Sequence, residues 1–366
     1  VTIRQANKLG LIEVKAPWQK TSGQESPVLF PATSAPLPTA SATAAQLAQA
    51  PPTLVPTEPA TQNLTTTPTI PTPSISTPTT EPSPTPAGWS LPDIAPFGSV
   101  GGEGLWETYL TLTNGEVVGL RTFLQPDADR PHTIVAVVAF NLKKVKLNYV
   151  LGSEEPALPD GPRGFGIIAA GDREPGKLLA TFNGGFLATH GYYGAMSDGT
   201  TALPAKKWAG TVAIGDDGHV QIGVWGEDVD PTGDYAAWRQ NGSMVVYQGE
   251  INERVYNGSI VTWGGNLDGV IVTWRSGLGI SADKQVLYYL SGPAMSMPIM
   301  AQTMKSVGVH DGILLDINPY WVHFAAIRAD GDGLKSEPLF EDGMDTQPDR
   351  YLRRSKRDFF YITASQ

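Results

Sequence analysis

The chain has 366 residues, a formal net charge of −10 and no cysteine, which excludes disulfides, thiol chemistry and Cys-based zinc sites. An acidic chain without a strong positive footprint argues against nucleic-acid binding, and no run of about 18 apolar residues provides a membrane-spanning helix.

Residues 1–26 form a short N-terminal segment in which Gly10 to Ala16 reads as one strand or as a docking element. Residues 27–87 hold 15 of the 31 prolines, no Lys or Arg, and many Thr, Ser and Ala. Such a segment has too few large apolar side chains to offset the entropy of ordering it, and its Pro-Thr repeats favour extended polyproline II. It reads as a disordered or extended spacer with O-glycan acceptors, suited to holding a domain away from a cell wall or envelope. The chain opens at Val1, which fits removal of an export signal. The expected location is therefore the bacterial cell surface, with attachment through the N-terminal segment, and with assembly into a homo-oligomer or larger surface structure as a further expectation.

From residue 88 to 366 the composition is that of a folded domain. Apolar runs at 106–113 and 117–124 flank Asn114-Gly115 and read as a β-hairpin. Further strands are expected at 133–140, 145–151, 178–182, 210–214, 219–224, 243–246, 270–274, 278–280, 285–290 and 311–316. One helix is expected at 297–307, with Ser296 as N-cap, Pro298 in its first turn and Gly308 closing it. The fold class is α+β or mixed α/β, strand-rich, with a few helices.

Three places bring polar or glycine residues to the end of an apolar strand, where α/β folds hold ligands. The first is Asn183-Gly184-Gly185-Phe186, followed by His190, Gly191, Tyr192 and Tyr193; its glycines let backbone N–H groups face an oxyanion. The second is Arg275-Ser276-Gly277, suited to bidentate binding of phosphate or carboxylate. The third is Asp316, followed by Asn318, Trp321 and His323; a carboxylate after an apolar strand is costly to bury without a role. A turn capped by Asn183, an Arg275 ion pair and an Asx turn at Asp316 are the structural alternatives. The basic run 350–357 reads as a solvated face or salt-bridge belt, and the histidines show no metal-ligand spacing, so no metal or cofactor is expected.

In order and spacing these places resemble the phosphodiester glycosidase family over residues 130–325. The motifs carrying the resemblance are Ala180 to Phe186, Arg275 to Ile280, the helix at 297–307, and the strand ending in Asp316. Where the family has a Gly-Gly-Gly-Ser loop after the Asp, this chain has Ile317-Asn318-Pro319, so its pocket is expected to differ. The resemblance implies hydrolysis of sugar-1-phosphate diesters in glycans. Asp316, Arg275 and Asn183 would be catalytic and would converge on one cleft. Gly184, Gly185, His190, Tyr192, Ser276, Asn318, Trp321 and His323 would bind substrate. A glycan-binding or structural module without catalysis is the alternative, and the aromatic residues, Trp208 among them, serve sugar stacking in either case.

Overall fold

The longest apolar runs become strands covered on both faces, as their lack of polar alternation requires. A computed structural model describes residues 16–19, 88–258, 260–264, 272–344 and 347–365. The chain partitions into two units, Val1–Gln24 with Ala87–Gln366, and Glu25–Pro86. The expected spacer, and most of the expected strand at residues 10–16, lie outside the described residues.

In chain order the strands are β1 (Glu107–Thr111), β2 (Val117–Leu124), β3 (Val135–Asn141), β4 (Val145–Val150), β5 (Leu178–Asn183) and β6 (Ala195–Ser197). Next come β7 (Thr200–Leu203), β8 (Gly210–Gly215), β9 (Val220–Val224), β10 (Tyr235–Gln240), β11 (Met244–Tyr247) and β12 (Glu250–Ile251). The short helices α1 (Arg254–Asn257) and α2 (Ile260–Trp263) follow, then β13 (Thr273–Ile280), β14 (Val286–Met295) and helix α3 (Met297–Ser306). The chain ends with β15 (Asp311–Leu314), β16 (Phe324–Asp330), β17 (Gly333–Pro338) and β18 (Phe359–Ala364).

Three sheets result: an eight-stranded sheet in the order β1-β2-β3-β14-β13-β15-β11-β12, and two five-stranded sheets, β7-β6-β10-β8-β9 and β17-β16-β5-β18-β4. Every pairing of named strands is antiparallel. The strand-rich α+β expectation holds in this coarse form. The βαβ geometry behind the strand-end argument is absent among the described residues, and loops from antiparallel neighbours build the site instead. The two strands expected at 270–274 and 278–280 are one continuous β13, with Arg275 inside it rather than at a strand end.

The central strands of the eight-stranded sheet are buried on both sides. Ala136, Val138, Phe140, Leu287 and Tyr289 join the main core. Val135, Val137, Ala139, Tyr288 and Leu290, alternating with them, pack with Met297, Met300, Ala301 and Met304 of α3. Across the main core, Phe182 of β5 stacks on Phe324 of β16 (centroids 6.1 Å, planes 7° apart) and tilts against Tyr289 of β14 at 5.0 Å. These rings join two sheets directly beneath the loop that leaves β5.

A short N-terminal piece also belongs to this unit. Trp18 packs edge-on against Phe123 (6.0 Å), the Arg121 guanidinium lies 4.0 Å from the Trp18 ring, and Glu341 N–H donates to Pro17 C=O at 3.1 Å.

Candidate active site

Antiparallel register draws three distant segments together. Phe359 of β18 lies opposite Asn183 of β5, so the residues just before β18 sit beside the loop leaving β5. Gly277 of β13 lies opposite Leu314 of β15. Ser276 N–H accordingly donates to Asp316 C=O at 2.9 Å, and Leu315 N–H to Ser276 C=O at 2.8 Å. Where these segments meet, a cleft of about 630 Å³ opens, its walls including Asp316, Arg357, Phe186, Tyr193 and Trp321.

The Asp316 carboxylate accepts from Arg357 Nη2 at 2.6 Å through Oδ2, and from Ile317 N–H at 2.8 Å through Oδ1. Burial pushes the Asp316 carboxyl up from its usual range; the positive charge of Arg357 and the Ile317 N–H oppose that shift. Arg357 also donates from Nη2 to Gly185 C=O at 2.8 Å, and its guanidinium lies 4.7 Å from the Trp321 ring. Its buried Nε has no hydrogen-bond partner among the described residues, so the protein does not exhaust its donors. The site thus pairs a carboxyl held above its ordinary pKa with a fixed cation, beside an aromatic wall.

Beneath the cleft, other side chains hold the backbone that carries this pair. Asn183 donates from Nδ2 to Gly184 C=O and to Ser276 Oγ, both at 2.9 Å, while its Oδ1 accepts from Tyr289 O–H and His323 N–H. Ser276 Oγ donates to Asp316 C=O at 3.1 Å. Asn241 accepts from Phe186 N–H at 3.0 Å and donates to the Leu314 and Leu315 carbonyls at 2.7 and 2.8 Å. Arg239, fully buried, donates from Nε to Asp358 Oδ2 at 2.7 Å and from Nη2 to Phe186 C=O at 2.6 Å. Asp358 Oδ2 also accepts from Tyr149 O–H at 2.9 Å and Gly185 N–H at 3.3 Å.

These contacts give the two glycines a different role from the one expected. Gly184 N–H donates to Asp358 C=O at 3.1 Å, and Gly185 N–H to the Asp358 carboxylate, so both are taken up by the protein's own oxygens rather than directed at a ligand. A Cβ on Gly184 would collide with the Asp358 carboxylate, and one on Gly185 would sit 2.9 Å from Arg239 Nη2. Close approach to this buried network, rather than to a ligand, requires glycine at both places.

Of the residues expected from sequence, Asp316, His190, Asn318 and Trp321 line the cleft. Asn183 and Ser276 lie buried under it. Arg275, also buried, donates to the carbonyls of Met295 (3.0 Å), Trp263 (3.1 Å) and Gly264 (3.4 Å), and burial lowers its pKa to about 10. It therefore braces the backbone at Trp263 and Gly264, the latter in the wall of the cleft, and is not itself in the lining. Tyr192 is exposed outside the lining, which its neighbour Tyr193 joins; His323 is buried, edge-on to Tyr351 at 5.0 Å. The expected three-way convergence of Asn183, Arg275 and Asp316 is thus layered, with Asp316 alone at the surface of the cleft.

Arg357 is the residue that sequence reading passed over. The run containing it was expected to form a solvated face or a salt-bridge belt; Arg353, Lys356 and Arg357 do form ion pairs, but Arg357 and the adjacent Asp358 are buried, because they lead directly into the buried β18. Two ionisable residues immediately before an apolar strand were the available signal. Among the described residues no group of three or more His, Asp or Glu side chains is placed to hold a metal ion.

No family model matches the chain, and no curated protein does. Among solved structures it is similar to the catalytic domain of zebrafish N-acetylglucosamine-1-phosphodiester alpha-N-acetylglucosaminidase auto-inhibited by its pro-peptide. There the identity is 16% and the TM-score 0.45, over 71% of this chain and 88% of that one. It is also similar to a hypothetical protein from Synechocystis, at 9% identity and a TM-score of 0.37, over 71% of this chain and 62% of the other. Likenesses of this size leave substrate and reaction to the chemistry of the cleft.

Proposed function

We propose that the protein is an exported, surface-displayed hydrolase that cleaves sugar-1-phosphate diester linkages in glycans. The observation that carries the reading is the buried Asp316–Arg357 pair at 2.6 Å, opening on a cleft of about 630 Å³ walled by Phe186, Tyr193 and Trp321. Aromatic faces suit the C–H faces of a sugar ring, and a guanidinium suits a phosphodiester anion. The motif resemblance supports this substrate class among those a carboxylate–guanidinium site accepts.

In this reaction water attacks the anomeric carbon, and the bond from that carbon to the phosphate oxygen breaks. The electron pair leaves on the phosphate monoester, and the water proton passes to the Asp316 carboxylate. The phosphate is a good leaving group, so positioning and charge stabilisation dominate over acid assistance. A phosphodiester on Arg357 competes with Asp316 for the same cation. Its negative charge raises the Asp316 pKa further, making the carboxylate a stronger base when substrate is bound. His190 and Asn318 are in the lining, and in this reading they bind sugar hydroxyls.

The test is sugar release from a panel of α-linked sugar phosphodiesters, beginning with that of N-acetylglucosamine. Asp316→Asn and Arg357→Ala should each lower the rate at least about 100-fold, the scale of a lost catalytic electrostatic contact. Absence of release from every member by the wild type would overturn the hydrolase reading in favour of a binding module.

A further inference from the structure

The aromatic wall of the cleft continues onto a second surface. Tyr193, in the lining, packs against Phe186 at 6.3 Å and edge-on against Trp208 at 6.0 Å. Lys206 Nζ lies 5.6 Å from the Tyr193 ring and 5.7 Å from the Trp208 ring, and donates to Gly191 C=O at 2.6 Å. That cation fixes the step from one ring to the next. Trp208 nevertheless remains 55% exposed. It forms one wall of a separate open groove of about 460 Å³, whose other walls include Tyr247, Glu227, Glu250 and Asn252. None of the groove's lining side chains is basic.

We propose that this groove binds uncharged sugar units of the same glycan whose phosphodiester occupies the cleft, so that the substrate is an oligomeric chain. The identity of the occupant rests on the hydrolase reading above. An exposed indole face stacks on the C–H face of a pyranose, and the exposed Glu227 carboxylate accepts from sugar hydroxyls. Asn252 is committed to Met244 C=O through Nδ2 at 2.8 Å and accepts from Arg254 N–H at 3.0 Å, so it shapes the wall. The lining holds Glu227 and a Glu250 paired with Lys305 Nζ at 2.7 Å, and no basic side chain, so it offers a phosphate no counterpart to Arg357 of the cleft. Charge therefore sorts the chain, with the diester at Asp316 and Arg357 and neutral units along Trp208. Continuity through Tyr193 distinguishes this groove from an isolated surface hollow.

The test is calorimetric titration of the full chain with tetrasaccharides of N-acetylglucosamine, glucose and mannose. At least one should bind the wild type. Trp208→Ala should weaken that binding at least tenfold, Trp208→Phe should retain most of it, and Glu227→Ala should weaken it at least threefold. Trp208→Ala gives up the Tyr193 and Lys206 contacts and should lower the melting temperature by a few degrees, whereas Glu227→Ala should match the wild type, so binding is compared well below both transitions. Binding of none of the three sugars, or equal binding by Trp208→Ala, would overturn the proposal. A loss in Trp208→Ala with none in Glu227→Ala would support stacking on Trp208 and remove Glu227 from the site. Trp208-dependent binding without phosphodiester hydrolysis would remove the catalytic reading and leave the groove standing. Hydrolysis with Trp208-independent binding would do the reverse.

Discussion

Arg357 and Asp316 meet at 2.6 Å across a separation of 41 residues, and Arg357 joins the same Asp316 carboxylate to the Gly185 carbonyl. One guanidinium therefore couples the loop after β5 to the carboxyl at the end of β15. Removing that cation breaks both links at once, which makes its removal informative beyond the loss of a charge.

The first prediction concerns pH. Burial holds the Asp316 carboxyl above its ordinary value of 3.8, and Arg357 restrains the shift. With Asp316 as base, kcat/KM should rise with pH through its native pKa, and Arg357→Ala should move that limb to higher pH. Stability has the opposite sign. Because the folded pKa is raised, the unfolded chain ionises first as pH climbs from the unfolded value through the native one, and stability is lost across that window. The stability of Asp316→Asn relative to wild type should therefore improve from pH 4 to pH 7, measured by urea titration at each pH.

The second prediction concerns the buried pair under the loop. Arg239 and Asp358 are fully or almost fully excluded from solvent and meet at 2.7 Å. Arg239→Met leaves the Asp358 charge buried and should cost about 3–5 kcal/mol. Arg239→Met with Asp358→Asn should recover part of that loss, because Asn keeps an acceptor for Tyr149 and Gly185. Chemical denaturation of both variants decides it. Equal loss in the two would show that the charge is not the source.

Asn241 gives a third. Its amide satisfies Phe186 N–H and two carbonyls of the strand leading to Asp316, so Asn241→Ala leaves three buried backbone groups unpaired. At about 1–3 kcal/mol for each unsatisfied buried group, a loss of at least about 2 kcal/mol is expected after relaxation. Hydrogen exchange at Phe186 should accelerate selectively over the strand interiors.

These residues show why the sequence was legible in some places and not in others. The strands at 117–124, 145–150 and 210–215 follow from apolar runs bounded by turns, and the helix after Ser296 from its Pro and its closing Gly. Asp316 stood out because a carboxylate ended such a run. Arg239 did not, because β10 carries Trp238, Arg239 and Gln240 in a row and lacks the alternation that marks a strand. Arg357 was hidden among exposed basic neighbours, and only the pairing of β18 with β5 separates it from them. Asn183 and Arg275 were found as unusual residues at expected strand ends, yet their hydrogen bonds make them supports. Residue type and spacing reveal that a polar group is special; tertiary pairing decides whether it faces a ligand or the backbone.

The last prediction concerns the N-terminal clasp. Ala16 is buried with Phe123 and Ile134, Trp18 packs beside them, and the Arg121 guanidinium lies between the Trp18 and Tyr109 rings at 4.0 and 4.5 Å. Residues 16–19 thus contact the domain formed by the residues from 88 onward. Half-burial of an indole together with a cation–π contact is worth about 2 kcal/mol. Trp18→Ala should therefore lower the melting temperature by roughly 4–8 °C for a domain of this size. Because the native chain has no cysteine, spin labels on Gln19→Cys and Glu341→Cys report the clasp without background. A short, narrow distance distribution is expected, anchored by the Pro17–Glu341 backbone bond, and it should broaden when Trp18→Ala is added. A broad distribution in the labelled protein with Trp18 intact would mean that the segment does not dock, and the thermal effect of Trp18→Ala should then vanish with it.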